Sequence, residues 1–122
     1  MRKIVYVLFA LILTQSLQAH HGPGIRGYDP NKPVAIKGVI LKCFECSNGS
    51  RGHGWLQVQV DSVIWGVTLP DTPGLRKAKV SLSKLKKGTA IEVSGFANVS
   101  KPHDMYANEV VVNGLTLFSP AA

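Results

Sequence analysis

The chain has 122 residues, enough for one domain and no more. Its 14 Lys and Arg against 7 Asp and Glu give a formal charge of +7, and it contains two cysteines. No internal repeat, low-complexity tract or second apolar span follows the N-terminal segment, which excludes repeat arrays and multi-span membrane proteins.

Residues 1–19 read as a cleavable signal peptide. Arg2 and Lys3 form a positive start, residues 4–13 are an unbroken apolar run, and Leu17-Gln18-Ala19 ends on a small residue. The run is shorter than the roughly 20 residues a bilayer span requires. Cleavage after Ala19 is therefore expected, with a mature chain opening at His20 in the periplasm or outside the cell. A retained N-terminal anchor is the alternative.

Residues 20–33 carry three prolines and three glycines, which argue against a helix or an inner strand. An extended arm is expected there, ordered only where something holds it. Residues 34–42 are β-rich, with Gly38 marking a bend. Residues 55–60 alternate, with Leu56, Val58 and Val60 on one face. Asp61-Ser62 turns the chain into residues 63–69, where Val63, Trp65, Val67 and Leu69 share a face, so the two runs read as a hairpin. Thr72 as cap and Pro73 at the first helical position predict a short helix that breaks before Ser81, with Leu75, Ala78, Leu82 and Leu85 near helical spacing. Strands follow at 91–95 and 106–112, and Asn113-Gly114 predicts a hairpin into a short return at 115–118.

Three strands, a short helix and two strands are the element order of an OB-like barrel. The expected fold is mainly β: a small five-stranded OB-like Greek-key barrel over 34–118, with one short helix between strands 3 and 4. Gly38 and Gly95 suit the sharp coiling of strands shared between two sheets. An open sandwich is the alternative.

Several features together resemble an uncharacterised family of bacterial secreted proteins with an OB-like barrel. They are His20-His21 after the cleavage point, Lys32-Pro33-Val34 through Gly38-Val39, and a loop placing His53 shortly before Trp55. The best match is Leu85-Lys86-Lys87-Gly88 leading into Ile91-Glu92-Val93-Ser94-Gly95. The chain departs from that pattern at Cys43 and Cys46, in a widened loop before His53, and in its Gly22-Pro23-Gly24 arm. The resemblance implies the fold and an exported location, and no activity.

The inventory for catalysis is thin, and no enzyme is expected. Asp29, Asp61, Asp71 and Asp104 sit where turn formation explains them, Glu92 alternates outward, and no serine lies in a nucleophile-elbow pattern. Cys43 and Cys46 allow a local disulfide, a thiol-exchange site, or a zinc or copper site with His53. Export favours the disulfide. The histidines His20, His21, His53 and His103 all fall in the arm or in loops. At a mature N-terminus His20 offers an α-amine beside its imidazole, a pair of nitrogens suited to Cu(II), and His21, His53 or His103 can complete the set. Trp55, Trp65 and Phe96 are candidate stacking surfaces on a barrel face, for a saccharide or envelope polymer rather than a nucleic acid. Arg76, Lys77, Lys79, Lys84, Lys86 and Lys87 form a basic cluster that suits an anionic envelope surface or polymer, or a plain solvated face. The expected function is an exported OB-like binding module that holds a transition metal, copper, through its N-terminal histidines; the alternative is a structural or stress-related envelope protein that binds a polymer, saccharide or protein partner on the barrel face.

Overall fold

The structure, a computed structural model, describes residues 26–46 and 52–119. Strands β1 (Tyr28–Phe44), β2 (His53–Val60), β3 (Val63–Asp71), β4 (Ala90–Asn98), β5 (Asp104–Val112) and β6 (Leu115–Phe118) form one sheet in the order β3-β2-β1-β4-β5-β6. Parallel pairing of β3 with β5 closes the first five strands into a barrel, setting Gly66 opposite Asp104 and Thr68 opposite Tyr106. Closure satisfies backbone groups that an open sheet would leave at its edges. Strand β6 is the expected return, reached through Asn113 and Gly114, both at positive φ (50° and 83°).

Strand β1 works twice. Its first part pairs with β4 from Tyr28 to Val39, and its last part pairs with β2 from Val39 to Phe44. It therefore begins six residues before the expected strand and takes in the end of the supposed arm. Pro30 and Pro33 are tolerated because this part of β1 has β4 on one side only, and the register breaks between Tyr28 and Pro33. Gly38 and Gly95 lie where neighbouring strands come too close for any side chain. A Cβ at Gly38 would run into the Gln59 carbonyl, and one at Gly95 into the Tyr106 carbonyl.

The alternating pattern of each strand sends one row of apolar side chains inward. Ile36, Ile40, Leu56, Val58, Val67, Leu69, Ile91, Val93, Met105 and Val110 are buried there, and Leu75, Leu82 and Leu85 from the β3–β4 connection join them. Each such side chain contributes roughly 1.5–3 kcal/mol by leaving water. Helix α1 (Thr72–Lys77) is capped one residue earlier than the sequence suggests. The Asp71 carboxylate accepts from the Gly74 N–H at 3.2 Å. Thr72 is instead the first residue of the helix, fully buried, with its N–H donating to the Gly52 carbonyl at 2.7 Å and its hydroxyl without a hydrogen-bond partner among the described residues. The helix ends at Ala78, and Leu82 is reached through a separate 3₁₀ turn, Leu82–Lys84.

Candidate ligand face

Residues that face one another across paired strands share a side of the sheet. Phe44 on β1 faces Trp55 on β2, Trp55 faces Thr68 on β3, and Thr68 faces Tyr106 on β5. Their chain neighbours Leu56, Val67, Leu69, Met105 and Ala107 are all buried, so this row lies on the outside of the barrel. Tyr106 in turn faces Phe96, and Phe96 faces Pro33 beside a shallow depression of about 350 Å³. An outer belt of rings thus runs across the barrel, with Thr68 as its one short side chain between Trp55 and Tyr106.

Trp55 is 39% exposed and lies flat against Phe44, with ring centroids 3.9 Å apart and planes 11° from parallel. Lys42, two residues before Phe44 on the same face, holds its Nζ 4.7 Å from the Phe44 centroid, a cation–π contact. The other side of Thr68 is polar. The Tyr28 hydroxyl donates to Asp104 Oδ2 at 2.8 Å and lies 3.0 Å from Thr68 Oγ1. Having spent its single proton on the carboxylate, it accepts from Thr68. Asn98 Nδ2 also donates to Asp104 Oδ2, at 3.0 Å. Gly66 makes room for this carboxylate, since a Cβ there would lie 2.7 Å from Asp104 Oδ1. Burial pushes the Tyr28 phenol above its ordinary value, against the pull of the Thr68 hydrogen bond and with help from Asp104. Burial, then the Asp71 carboxylate, raises Tyr106 as well.

His53 closes one end of this group. Its Nδ1 is 2.7 Å from the Leu69 carbonyl oxygen. A carbonyl can only accept, so Nδ1 carries a proton and donates to it. The His53 ring meets Tyr106 edge-on at 6.2 Å, and Tyr28 meets Tyr106 at 5.7 Å from the other side.

Not all expected site residues come together. Trp65 faces Val58 and points the opposite way from Trp55, packing against the core with the His103 ring edge-on at 5.4 Å. The two tryptophans therefore do not share a ligand face. His103 is anchored at Gly66, whose N–H donates to the His103 carbonyl, whereas His53 sits at Leu69. Three residues of β3 separate those anchors, about 10 Å. Among the described residues no three His, Cys, Asp or Glu side chains gather as a metal site. His20 and His21 lie outside the described residues. Cys43 and Cys46 form a disulfide, with Cα atoms 6.0 Å apart, which leaves no thiolates to join His53. Arg76, Lys77, Lys79, Lys84, Lys86 and Lys87 are exposed along α1 and the segment after it, away from the ring belt in sequence and on a different element.

Tyr28, Phe44, Thr68, Asn98, Asp104 and Tyr106 were not singled out by sequence. Outward parity on the strands marks Tyr106 and Thr68, but Asp104 reads as a turn residue until β5 is seen to start there.

No family model matches the chain, and no curated protein matches it. Among solved structures it is similar to the S. pombe Stn1-ten1 complex, at 15% identity and a TM-score of 0.50, over 66% of this chain and 57% of that one. It is also similar to apo TiaS, a tRNAIle2 agmatidine synthetase, at 15% identity and a TM-score of 0.48, over 76% of this chain and 19% of that one. The chain thus spans less than two thirds of the length of either. With the closed strand order, the first likeness makes this domain an OB-fold barrel.

Proposed function

We propose that this protein is an exported OB-fold binding module that holds an envelope polymer on the outer face of β1, β2 and β3 and performs no chemistry on it. The observation that carries the reading is Trp55, a large ring left 39% exposed and held rigid by stacking on Phe44. A flat, pre-positioned aromatic gives contact area at little entropic cost. Export is supported by the signal-like residues 1–19, by the Cys43–Cys46 disulfide, and by the resemblance to bacterial secreted proteins. The basic cluster suits an anionic envelope surface and would orient the barrel upon it.

Amide chemical shifts of the labelled mature protein, followed during titration with a solubilised envelope polymer fraction, test this. Shifts are expected at residues 42–44, 55–59, 66–68 and 104–106. A response confined to the far side of the barrel, around Glu92 and Val111, would refute the ligand face.

Copper at the mature N-terminus is a second reading, favoured by the α-amine and imidazole that cleavage before His20 would expose. Intact mass from the native host should correspond to a chain starting at His20. Copper affinity should fall both for a chain extended by one residue before His20 and for His20→Ala. Equal affinity for all three forms would remove copper from the account.

A further inference from the structure

The connection between β3 and β4 holds the protein's charge asymmetry. Residues 72–91 contain six Lys and Arg and no acidic residue, whereas the rest of the chain from His20 onward contains six basic and seven acidic ones. The net positive charge of the expected mature chain therefore comes from this one connection. Its Leu75, Leu82 and Leu85 are buried in the core, and Arg76, Lys77, Lys79, Lys84, Lys86 and Lys87 are exposed. The acids at its two margins are engaged elsewhere. Asp71 accepts from the Gly74 N–H at 3.2 Å, and Glu92 lies 3.9 Å from Lys37 Nζ. The five lysine ammonium groups make no ion pair among the described residues, so the fold itself does not offset their mutual repulsion.

Lys79 provides a second observation. It follows the end of α1 at φ +64°, where its N–H donates to the Arg76 carbonyl at 2.8 Å and the Val80 N–H donates to the Leu75 carbonyl at 2.9 Å. This is the left-handed position that favours glycine, and a lysine there carries a backbone cost that glycine would avoid. What the lysine supplies is one more exposed charge in the cluster.

The composition of the patch selects its partner. No aromatic residue lies between 72 and 91, so nothing there can stack on a base or a sugar ring. The depressions beside Phe96 and beside Glu92 lie on the strands, and none of the six basic residues lines either. Five of the six are lysines, point charges without the planar fork by which arginine grips a single phosphate. Such an array fits a broad layer of negative charge that can adjust laterally. We infer that the exposed side of the β3–β4 connection is a docking surface for the phosphate headgroups of an anionic phospholipid bilayer. This rests on the reading of the basic cluster given above and not on the Trp55 ligand face. No large apolar side chain of 72–91 is exposed, so the contact is peripheral and salt-reversible.

Co-sedimentation of the mature protein with phosphatidylcholine vesicles, pure or containing about one third phosphatidylglycerol, at about 0.15 M and 1 M salt tests the surface. Binding is expected to the mixed vesicles alone and should be lost at the higher salt. The triple variant Lys84→Gln/Lys86→Gln/Lys87→Gln should weaken it about 100-fold, roughly fivefold per lysine. Lys32→Gln/Lys37→Gln/Lys101→Gln removes the same charge from exposed positions elsewhere and should weaken it less than fivefold. Lys79→Gly should raise the unfolding midpoint and still weaken vesicle binding. Absence of binding to the mixed vesicles, or equal weakening by the two triple variants, would overturn the docking surface. Tighter binding of soluble polyphosphate than of the vesicles, lost in the first triple variant, would show that the bilayer is the wrong occupant. Polymer-induced shifts at residues 55–59 without vesicle binding would leave the ligand face standing and remove this surface, and the converse result would do the reverse.

Discussion

Replacing Tyr28 by Phe removes a single oxygen and tests how the start of β1 is fastened. That oxygen bonds Asp104 Oδ2 at 2.8 Å and Thr68 at 3.0 Å, linking β1 to β5 and β3 across the outside of the barrel. Asp104 keeps its bond from Asn98, so the carboxylate is not stranded. One hydrogen bond to a charged group and one between neutral hydroxyls contribute roughly 2–4 kcal/mol when buried. Tyr28 is only partly buried, so water replaces much of this, and the net loss should be about 1.5 kcal/mol. For a domain of this size that lowers Tm by about 6–12 °C. The assay is thermal and urea unfolding of Tyr28→Phe beside Tyr106→Phe. The Tyr106 hydroxyl has no hydrogen bond among the described residues, so its loss should stay within about 0.5 kcal/mol. Hydrogen exchange should quicken at residues 28–33 of Tyr28→Phe more than at the core positions Val58 or Val93. Equal stability of Tyr28→Phe and the parent protein would show that the hydroxyl fastens nothing.

The same two tyrosines predict an alkaline limit. Both phenols are raised above 10.0 in the fold, so their contribution is complete below about pH 10 and is lost as pH rises through the folded values. Unfolding free energy measured from pH 9 to 11 should fall in that window, and the Tyr28→Phe/Tyr106→Phe double variant should flatten the fall. The Cys43–Cys46 bridge closes a very short loop, so replacing both cysteines by alanine should cost at most about 2 kcal/mol by urea unfolding. Thiol labelling of the exported protein before reduction should find no free cysteine, and labelled thiols there would overturn the disulfide.

Local periodicity determined much of the barrel from sequence alone. A strand buried on one face must alternate, and a tight hairpin needs residues that accept positive φ, so the β2–β3 hairpin, the return through Asn113-Gly114 and the inward residues Leu56, Val58, Val67 and Leu69 were legible. Gly38 and Gly95 were legible as bends for the same reason: only glycine can sit where another backbone passes within a side chain's radius. Tertiary structure decided the rest, because it depended on partners distant in the chain. Pro30 and Pro33 argue against a strand until β4 and the reach of Tyr28 are seen to hold that segment. Thr72 reads as a cap until packing buries it and leaves Asp71 to do the work. Trp55 and Trp65 both look like ligand surfaces, yet pairing opposite Thr68 and Val58 turns one outward and the other toward the core. The meeting of Thr68 with Tyr106 arises from the parallel β3–β5 pairing, which joins residues nearly forty positions apart. Alternation says which side of its own strand a residue occupies, and carries no information about the register between strands that far apart.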